Sequence, residues 1–344
     1  MKKILKTLSD MRGVSGFEYR ISDKIKDMFS PYLDDVYINN SGSVVGVKRA
    51  DNPIGKVMIE AHMDEIGLMV KGIDEKGFLT FVNIGGVDGR ILPASEVIIH
   101  GKKDVWGVIG AKPPHLQTAD ESGKSLKIKD MAIDTGLDAN VVKSLIAVGD
   151  SITMSQSVGE LLNENFSGKC IDDRGGVAIL LKVMEDLQEK NLPYDLYFVA
   201  SVQEEVGLCG AKTVSYEINP DMAIAIDVCH GITPDNSYNA FETGSGTVIS
   251  KGPNIHPKIS EKLIDIAKEK EIKYSIDVDG GDTGTDAWAI QVARSGIATG
   301  LLSIPLKYMH TSVETVSLFD LEETKKLIVE YLCDLKGGFD FLCY

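Results

Sequence analysis

The alternation of strand-like and helix-like segments constrains the fold of this chain more than any other sequence feature. In the second half of the chain, helical spacing of apolar residues alternates with short apolar runs, at helices 174–189, 258–270 and 320–335 and strands 194–202, 222–228 and 298–303. Such alternation predicts an α/β fold, with a mixed, mainly parallel sheet covered by helices. In sheets of this kind, ligands bind at the carboxyl ends of the strands.

The segment from 69 to 165 interrupts this alternation. It contains short strand-like runs, such as FLTFVNI and EVIIH, which are separated by clusters of Gly, Pro, Asp and Lys. This texture is typical of a small β-barrel. The chain has 344 residues, more than the roughly 100–200 of a usual single domain. We therefore predict a catalytic α/β domain made of residues 1–68 and 166–344, with 69–165 as an inserted, β-rich, barrel-like domain.

Composition excludes several classes of protein. There are 36 Lys and Arg against 51 Asp and Glu, and this acidic balance argues against nucleic-acid binding. No charge-free stretch is long enough to span a membrane, and the N-terminus lacks the apolar run of a secretion signal. The five cysteines are widely spaced and form no CxxC pair, so free thiols in a reducing cytoplasm are expected.

Residues that commonly bind metal ions stand at the ends of the apolar runs. They are His62 and Asp64 in AHMDEIG, Asp172 and Asp173 in IDDRGG, Glu204 and Glu205 in VQEEVG, Asp227 in AIDV, and His310 in MHTSVE. Each has an ordinary explanation by itself, because an Asp at a strand end is usually a turn or a cap. Their recurrence at strand ends that one parallel sheet would bring together makes a metal site an equally good explanation.

Six motifs, in this order, resemble metallopeptidase family 42: AHMDEIG, IDDRGG, VQEEVGLCGAK, AIDV, GTDA and MHTSVETVSLFDLEET. The family comprises the tetrahedral aminopeptidases, grouped with glutamyl aminopeptidases and with proteins once labelled endoglucanases. The resemblance extends nearly end to end, and GVIGAKPPHL in the insert is also similar to the family. It implies the binuclear zinc peptidase fold, dimers formed through the insert, and assembly of the homo-oligomer into a tetrahedral dodecamer that admits short peptides.

The resemblance also implies a site with two divalent metal ions. Asp172 would bridge the ions, His62 and Asp227 would complete one of them, and Glu205 and His310 the other. Asp64 would orient His62 through its second ring nitrogen, and Glu204 would be the general base. The peptide bond between Asp172 and Asp173 would be cis, as in related binuclear peptidases.

The chemistry of these residues agrees with that assignment. Three carboxylates and two neutral imidazoles leave a charge of +1 on two divalent ions, because +4 and −3 sum to +1. Mixed nitrogen and oxygen ligands favour Zn²⁺, Co²⁺ or Mn²⁺ over Ca²⁺ or Mg²⁺. A general base must stay free of metal to accept a proton from water. The adjacent Glu204 and Glu205 can divide these two roles.

Substrate contacts are predicted from the loops around the strand ends. Thr285 and Asp286 are expected to contact the substrate backbone, and His230 to line the pocket. Lys251 could favour acidic N-terminal side chains, whereas Phe241 and Ile255 could favour apolar ones.

Three further interpretations concern single features. The loop GGDTGTDA is longer by Asp282 and Thr283 than the compact form expected of the family. His100 is expected at the surface at a strand end. Cys170 is interpreted as a packing residue without a basic neighbour.

We therefore predict a cytoplasmic metallo-aminopeptidase that acts on short peptides and binds neither nucleic acid nor membranes. A glycoside hydrolase is an alternative, since two carboxylates are sufficient for that chemistry, but it has no use for His62 and His310. The second alternative is a non-catalytic, peptide-binding scaffold protein. Such a protein is expected to have lost ligands or the base, whereas all of them are present.

Overall fold

The computed structural model describes residues 1–118, 124–335 and 338–342. The helices are α1 (Lys2–Ser9), α2 (Ser22–Phe29), α3 (Ala139–Leu145), α4 (Ile171–Leu187), α5 (Cys209–Ile218), α6 (Pro257–Glu269), α7 (Asp286–Ile290) and α8 (Leu318–Asp334). The strands are β1 (Asp35–Ile38), β2 (Val44–Lys48), β3 (Lys56–His62), β4 (Gly67–Ile73), β5 (Leu79–Ile84), β6 (Glu96–His100), β7 (Asp104–Ile109), β8 (Ile133–Asp134), β9 (Ser151–Met154), β10 (Gly159–Glu160), β11 (Asn165–Gly168), β12 (Asp195–Ser201), β13 (Met222–His230), β14 (Thr247–Lys251), β15 (Tyr274–Val278), β16 (Ala298–Lys307) and β17 (Glu314–Ser317). No helix within the described ranges is long and apolar enough to cross a membrane.

A mixed sheet of eleven strands forms the larger part of the molecule. Its main path runs β1-β2-β12-β3-β13-β16-β17-β11-β10, and β14 joins β15 to β16. The central strands β12, β3, β13 and β16 are parallel to one another, so their carboxyl ends lie at one edge. One face packs against α4 and α8, and the other against α5 and α7. The predicted α/β fold with a mainly parallel sheet is confirmed.

The remaining six strands close into an antiparallel barrel in the order β4-β5-β8-β7-β6-β9. Its strands extend from Gly67 to Met154, and β10 and β11 then return to the large sheet. The barrel has its own apolar core, which includes Leu68, Phe81 and Ile152. The predicted small β-barrel is therefore confirmed, and it is inserted between β3 and β11 of the large sheet.

Several local expectations need correction. The predicted helix at 18–31 is a single 3₁₀ turn at Glu18–Arg20 followed by α2. His100 is buried rather than exposed, because its ring nitrogens contact Asp104 Oδ1 at 2.8 Å and Thr153 Oγ1 at 3.0 Å. A strand-end position does not by itself imply exposure where two neighbouring strands supply polar partners.

A buried cluster of charged groups joins the N-terminal segment to the end of β3. Glu65 accepts hydrogen bonds from Lys169 Nζ at 2.7 Å and from Arg174 Nη2 at 3.1 Å. Arg174 also donates to the backbone carbonyl of Met11 at 2.6 Å. Cys170 Sγ lies 2.9 Å from Lys169 Nζ, so the expectation that it has no basic neighbour is wrong. Burial nevertheless raises the pKa of this thiol, which keeps it protonated.

Candidate metal centre and cavity

The five predicted metal ligands come from five separate elements at the carboxyl edge of the large sheet. His62 ends β3, Asp172 lies in the first turn of α4, Glu205 follows β12, Asp227 lies near the end of β13, and His310 follows β16. The backbone leaves helical geometry at Asp172 and Asp173. The peptide bond between them is cis, which confirms the expectation.

Asp172 lies between the two histidines. Its Oδ1 is 3.2 Å from His62 Nε2, and its Oδ2 is 3.3 Å from His310 Nε2. Glu205 Oε1 lies 3.3 Å from the same His310 nitrogen. One donor atom from each of His62, Asp172 and Glu205 lies within 4.8 Å of the others. The two oxygens of Asp172 thus face different imidazoles, as expected of a carboxylate between two cation positions.

Electrostatics indicate that this group of side chains needs positive charge. Burial, together with Asp227, Asp286 and Glu205, raises the pKa of Glu204 to about 10 although His62 opposes the shift. Burial would lower the pKa of His310, but its contacts with Asp172 and Glu205 outweigh this and raise it to about 11. Buried carboxylates are stable when cations pair with them. A divalent ion between imidazole nitrogens and carboxylate oxygens meets that need, so the residues fit a metal.

Glu204 and Glu205 are in different surroundings despite their adjacency. The Glu205 side chain is buried against His310. No hydrogen bond to the Glu204 carboxylate is found within the described part of the chain, and this carboxylate lines the main cavity. Their backbone N–H groups both donate to Asp64, at 3.1 and 3.2 Å.

Asp64 is fully buried below the cluster. Besides the two backbone N–H groups, its Oδ1 lies 3.5 Å from His62 Nδ1. One carboxylate therefore holds both the ring of His62 and the turn that presents the two glutamates. Burial would raise the pKa of Asp64, but its contact with His62 lowers it, so it stays ionised.

Glu314 has a comparable position that sequence reasoning missed. Its Oε2 accepts from the backbone N–H of Ile171 at 2.7 Å and of Asp172 at 3.2 Å, and its Oε1 accepts from the N–H of His310 at 3.0 Å. The side chain is buried at the start of β17. A charged residue at the start of an apolar strand, four positions after His310, was the available indication.

The metal cluster opens into a cavity of about 890 Å³. Thr285 and His230 lie on its wall. Asp286 is behind the wall, where its carboxylate contacts Ser201 Oγ at 2.8 Å, and the same hydroxyl contacts Glu60 at 2.6 Å. It is 2% exposed, so it cannot reach a substrate without rearrangement.

Lys251 does not line the main cavity either. It borders a separate cavity of about 280 Å³ together with Ile255, because neighbouring residues of a strand point to opposite faces. The barrel contributes to the main cavity instead. Gly86, after β5, lines it so closely to His310 that a Cβ atom at this position would lie 2.7 Å from His310 Nδ1.

Comparisons with known proteins agree with this geometry. A family model described as M42 glutamyl aminopeptidase matches residues 42–327. The lysyl aminopeptidase of Pyrococcus furiosus is 35% identical over 97% of both chains. An aminopeptidase structure from Desulfurococcus kamchatkensis is 36% identical, with a TM-score of 0.91 over 99% of this chain and 96% of the other. The TET1 peptidase of Pyrococcus horikoshii, which can assemble into a tetrahedron or a large octahedral shell, is 32% identical, with a TM-score of 0.87 over 97% of this chain and 99% of the other.

Proposed function

Because the chain belongs to the M42 glutamyl aminopeptidase family, we propose that it is a metal-dependent aminopeptidase that removes N-terminal residues from short peptides. One observation carries the proposal: Asp172 lies between two histidines, at 3.2 and 3.3 Å, beside a cavity that also contains the carboxylate of Glu204. A non-catalytic protein would not need a free carboxylate next to such a cluster.

In this proposal Asp172 bridges two divalent ions, which are Zn²⁺, Co²⁺ or Mn²⁺. His62 and Asp227 hold one ion, and Glu205 and His310 hold the other. When bound, the ions supply Lewis-acid chemistry that polarises a peptide carbonyl and lowers the pKa of a water molecule toward about 7. The five side chains supply two nitrogens and three carboxylates, a mixed set that this group of metals prefers.

Glu204 moves the proton in the proposed reaction. Its carboxylate accepts a proton from the attacking water and then donates it to the nitrogen of the leaving amine, so that no proton is gained or lost overall. Asp64 keeps Glu204 in place through its backbone N–H and keeps the ring of His62 oriented. Thr285 and His230 are at the cavity wall, where they can contact the substrate.

We also propose a cytoplasmic homo-oligomer in which dimers form through the β-rich insert and assemble into a tetrahedral dodecamer. Trp106 and Val148 of the barrel are 52% and 66% exposed. Exposed apolar side chains of this size favour burial against another subunit. The assembly of the P. horikoshii relative supports the same arrangement. Size-exclusion chromatography with light scattering tests the subunit number.

The activity is tested with matched substrates. A short peptide with a free α-amine should lose its N-terminal residue, whereas the same peptide with an N-acetyl group should not be cleaved. 1,10-Phenanthroline should abolish the reaction, and added Zn²⁺, Co²⁺ or Mn²⁺ should restore it. Hydrolysis of cellulose that persists after chelation would instead favour a glycoside hydrolase. Peptide binding without any turnover by the metal-loaded protein would favour a non-catalytic peptide-binding protein.

The role of Glu314 leads to a separate prediction. Glu314→Gln places an amide NH₂ against backbone N–H groups of Ile171 and Asp172 or of His310, so one of these segments loses its acceptor. We expect the affinity of the metal-free protein for Zn²⁺ to fall about 10–100-fold, as measured by competition with a chromophoric chelator. Glu261→Gln, at an exposed position of α6, is the matched control. An unchanged affinity in Glu314→Gln would contradict this role.

A further inference from the structure

The main cavity extends from the metal cluster onto the ends of β14 and β15. Ser250 and Asp277 are register partners on these strands, and both line the cavity. Paired residues of neighbouring strands lie on the same face of a sheet. Ser250 is 3% exposed, and no hydrogen-bond partner of its hydroxyl is found in the described ranges. This buried hydroxyl therefore faces the cavity with its bonding capacity available to a ligand.

The loop after β15 adds two more carboxylates to this wall. Asp279 and Asp282 line the cavity, and Asp282 is part of the extension that makes the loop longer than the family's expected form. Buried Asn254 donates to Thr283 Oγ1 at 3.2 Å, and Thr283 contacts Thr285 Oγ1 at 2.9 Å. These two contacts hold the extended loop against the cavity.

The three carboxylates have no cationic partner in the apo protein. Within the described residues, no Lys or Arg nitrogen lies within 4 Å of Asp277, Asp279 or Asp282. Lys212 is the one Lys or Arg among the cavity-lining residues, and its ammonium group donates to the carbonyl of Gly207 at 2.8 Å. Burial, with repulsion from Asp279, raises the pKa of Asp277, so a cation at this position would relieve an unfavourable arrangement.

The charge of this wall is separate from the charge of the metal cluster. In the proposed function, two divalent ions compensate Asp172, Glu205 and Asp227, but no ion compensates the outer carboxylates. A substrate whose α-amine and first carbonyl are near the metal ligands directs its N-terminal side chain into the remaining cavity. That part of the cavity combines three carboxylates with the hydroxyl of Ser250.

We propose that Ser250, Asp277, Asp279 and Asp282 form a subsite for the cationic side chain of an N-terminal lysine or arginine. This inference rests on the proposed aminopeptidase function and specifies its substrate class. It replaces the expectation that Lys251 selects acidic side chains, because Lys251 lies outside the main cavity.

The test compares substrates that differ mainly in charge. Lysyl and norleucyl p-nitroanilide have side chains of similar length, and glutamyl p-nitroanilide carries the opposite charge. We expect kcat/KM for the lysyl substrate to exceed that for the norleucyl substrate about tenfold, with the glutamyl substrate poorest, because charge complementarity at a cleft favours one sign of ligand. The double variant Asp277→Asn/Asp282→Asn should reduce the lysyl-to-norleucyl ratio about tenfold. Asp265→Asn, on exposed α6, is the control and should leave that ratio unchanged.

Two results would overturn the subsite while leaving the aminopeptidase function intact: a preference for the glutamyl substrate, or a lysyl-to-norleucyl ratio that the double variant does not change. If the metal-loaded protein hydrolyses none of the three substrates, the proposed function itself fails. Calorimetric titration with lysinamide and norleucinamide then decides the subsite without turnover. Tighter binding of lysinamide that the double variant removes supports it, and equal binding of the two amides overturns it.

Discussion

Glu204→Gln is expected to lower kcat about 10²–10⁴-fold while the protein keeps its metal. Glutamine has nearly the shape of glutamate but cannot accept a proton at neutral pH, so the variant removes proton transfer and little else. The Glu204 carboxylate has no hydrogen-bond partner within the described ranges, and its backbone position is held by Asp64. The substitution should therefore leave the ligand geometry in place.

The measurement combines steady-state kinetics on an aminoacyl p-nitroanilide with the metal content of the purified protein. Glu189→Gln, on the exposed surface after α4, is the matched control and should keep wild-type kcat. A Glu204→Gln protein that retains most of its turnover would exclude Glu204 as the general base. Loss of metal together with activity would instead assign Glu204 to metal binding.

Asp172→Asn should have the largest effect on metal binding. Asp172 is the one carboxylate whose two oxygens face both histidines, at 3.2 and 3.3 Å. Asparagine offers one oxygen and no charge, so it cannot bridge two cations. We expect the variant to lose at least one ion per subunit, and kcat/KM to fall by more than the about 10–100-fold typical of residues that only support a ligand.

Metal stoichiometry after dialysis, measured by mass spectrometry, provides the readout independent of activity. The control is Asp51→Asn at an exposed loop position, which should bind metal as the wild type does. If Asp172→Asn binds two ions with unchanged affinity, the bridging role is wrong. If it folds as the wild type does by circular dichroism but binds none, both cation positions depend on this carboxylate.

The residues near the centre differ in how well sequence could assign them. His62, Glu205 and Asp227 stand at the ends of apolar runs, and strand ends of a parallel sheet converge by geometry. Asp286 is in the GTDA motif, but the sequence does not reveal that its side chain turns inward to Ser201. Lys251 is next to Ser250 in the chain, yet the two residues border different cavities, because the strand alternates its side chains between faces.

Glu314 and Gly86 show a different limit. Glu314 acts through backbone N–H groups of residues about 140 positions away in the chain, and no local pattern encodes that pairing. Gly86 belongs to the segment that contains the barrel, yet it lies against His310. Such contacts depend on how the barrel and the large sheet pack together.

By itself, the sequence determined the alternating α/β architecture, the inserted β-rich segment and the five residues that converge at the sheet edge. These follow from local periodicity and from motif order, which depend on neighbouring residues in the chain. Only the tertiary structure decided which carboxylates face the cavity, which are buried behind it, and that three of them form an acidic wall without a cation. Those assignments depend on side-chain direction and on long-range packing, where free energy is gained from contacts between segments that are distant in sequence.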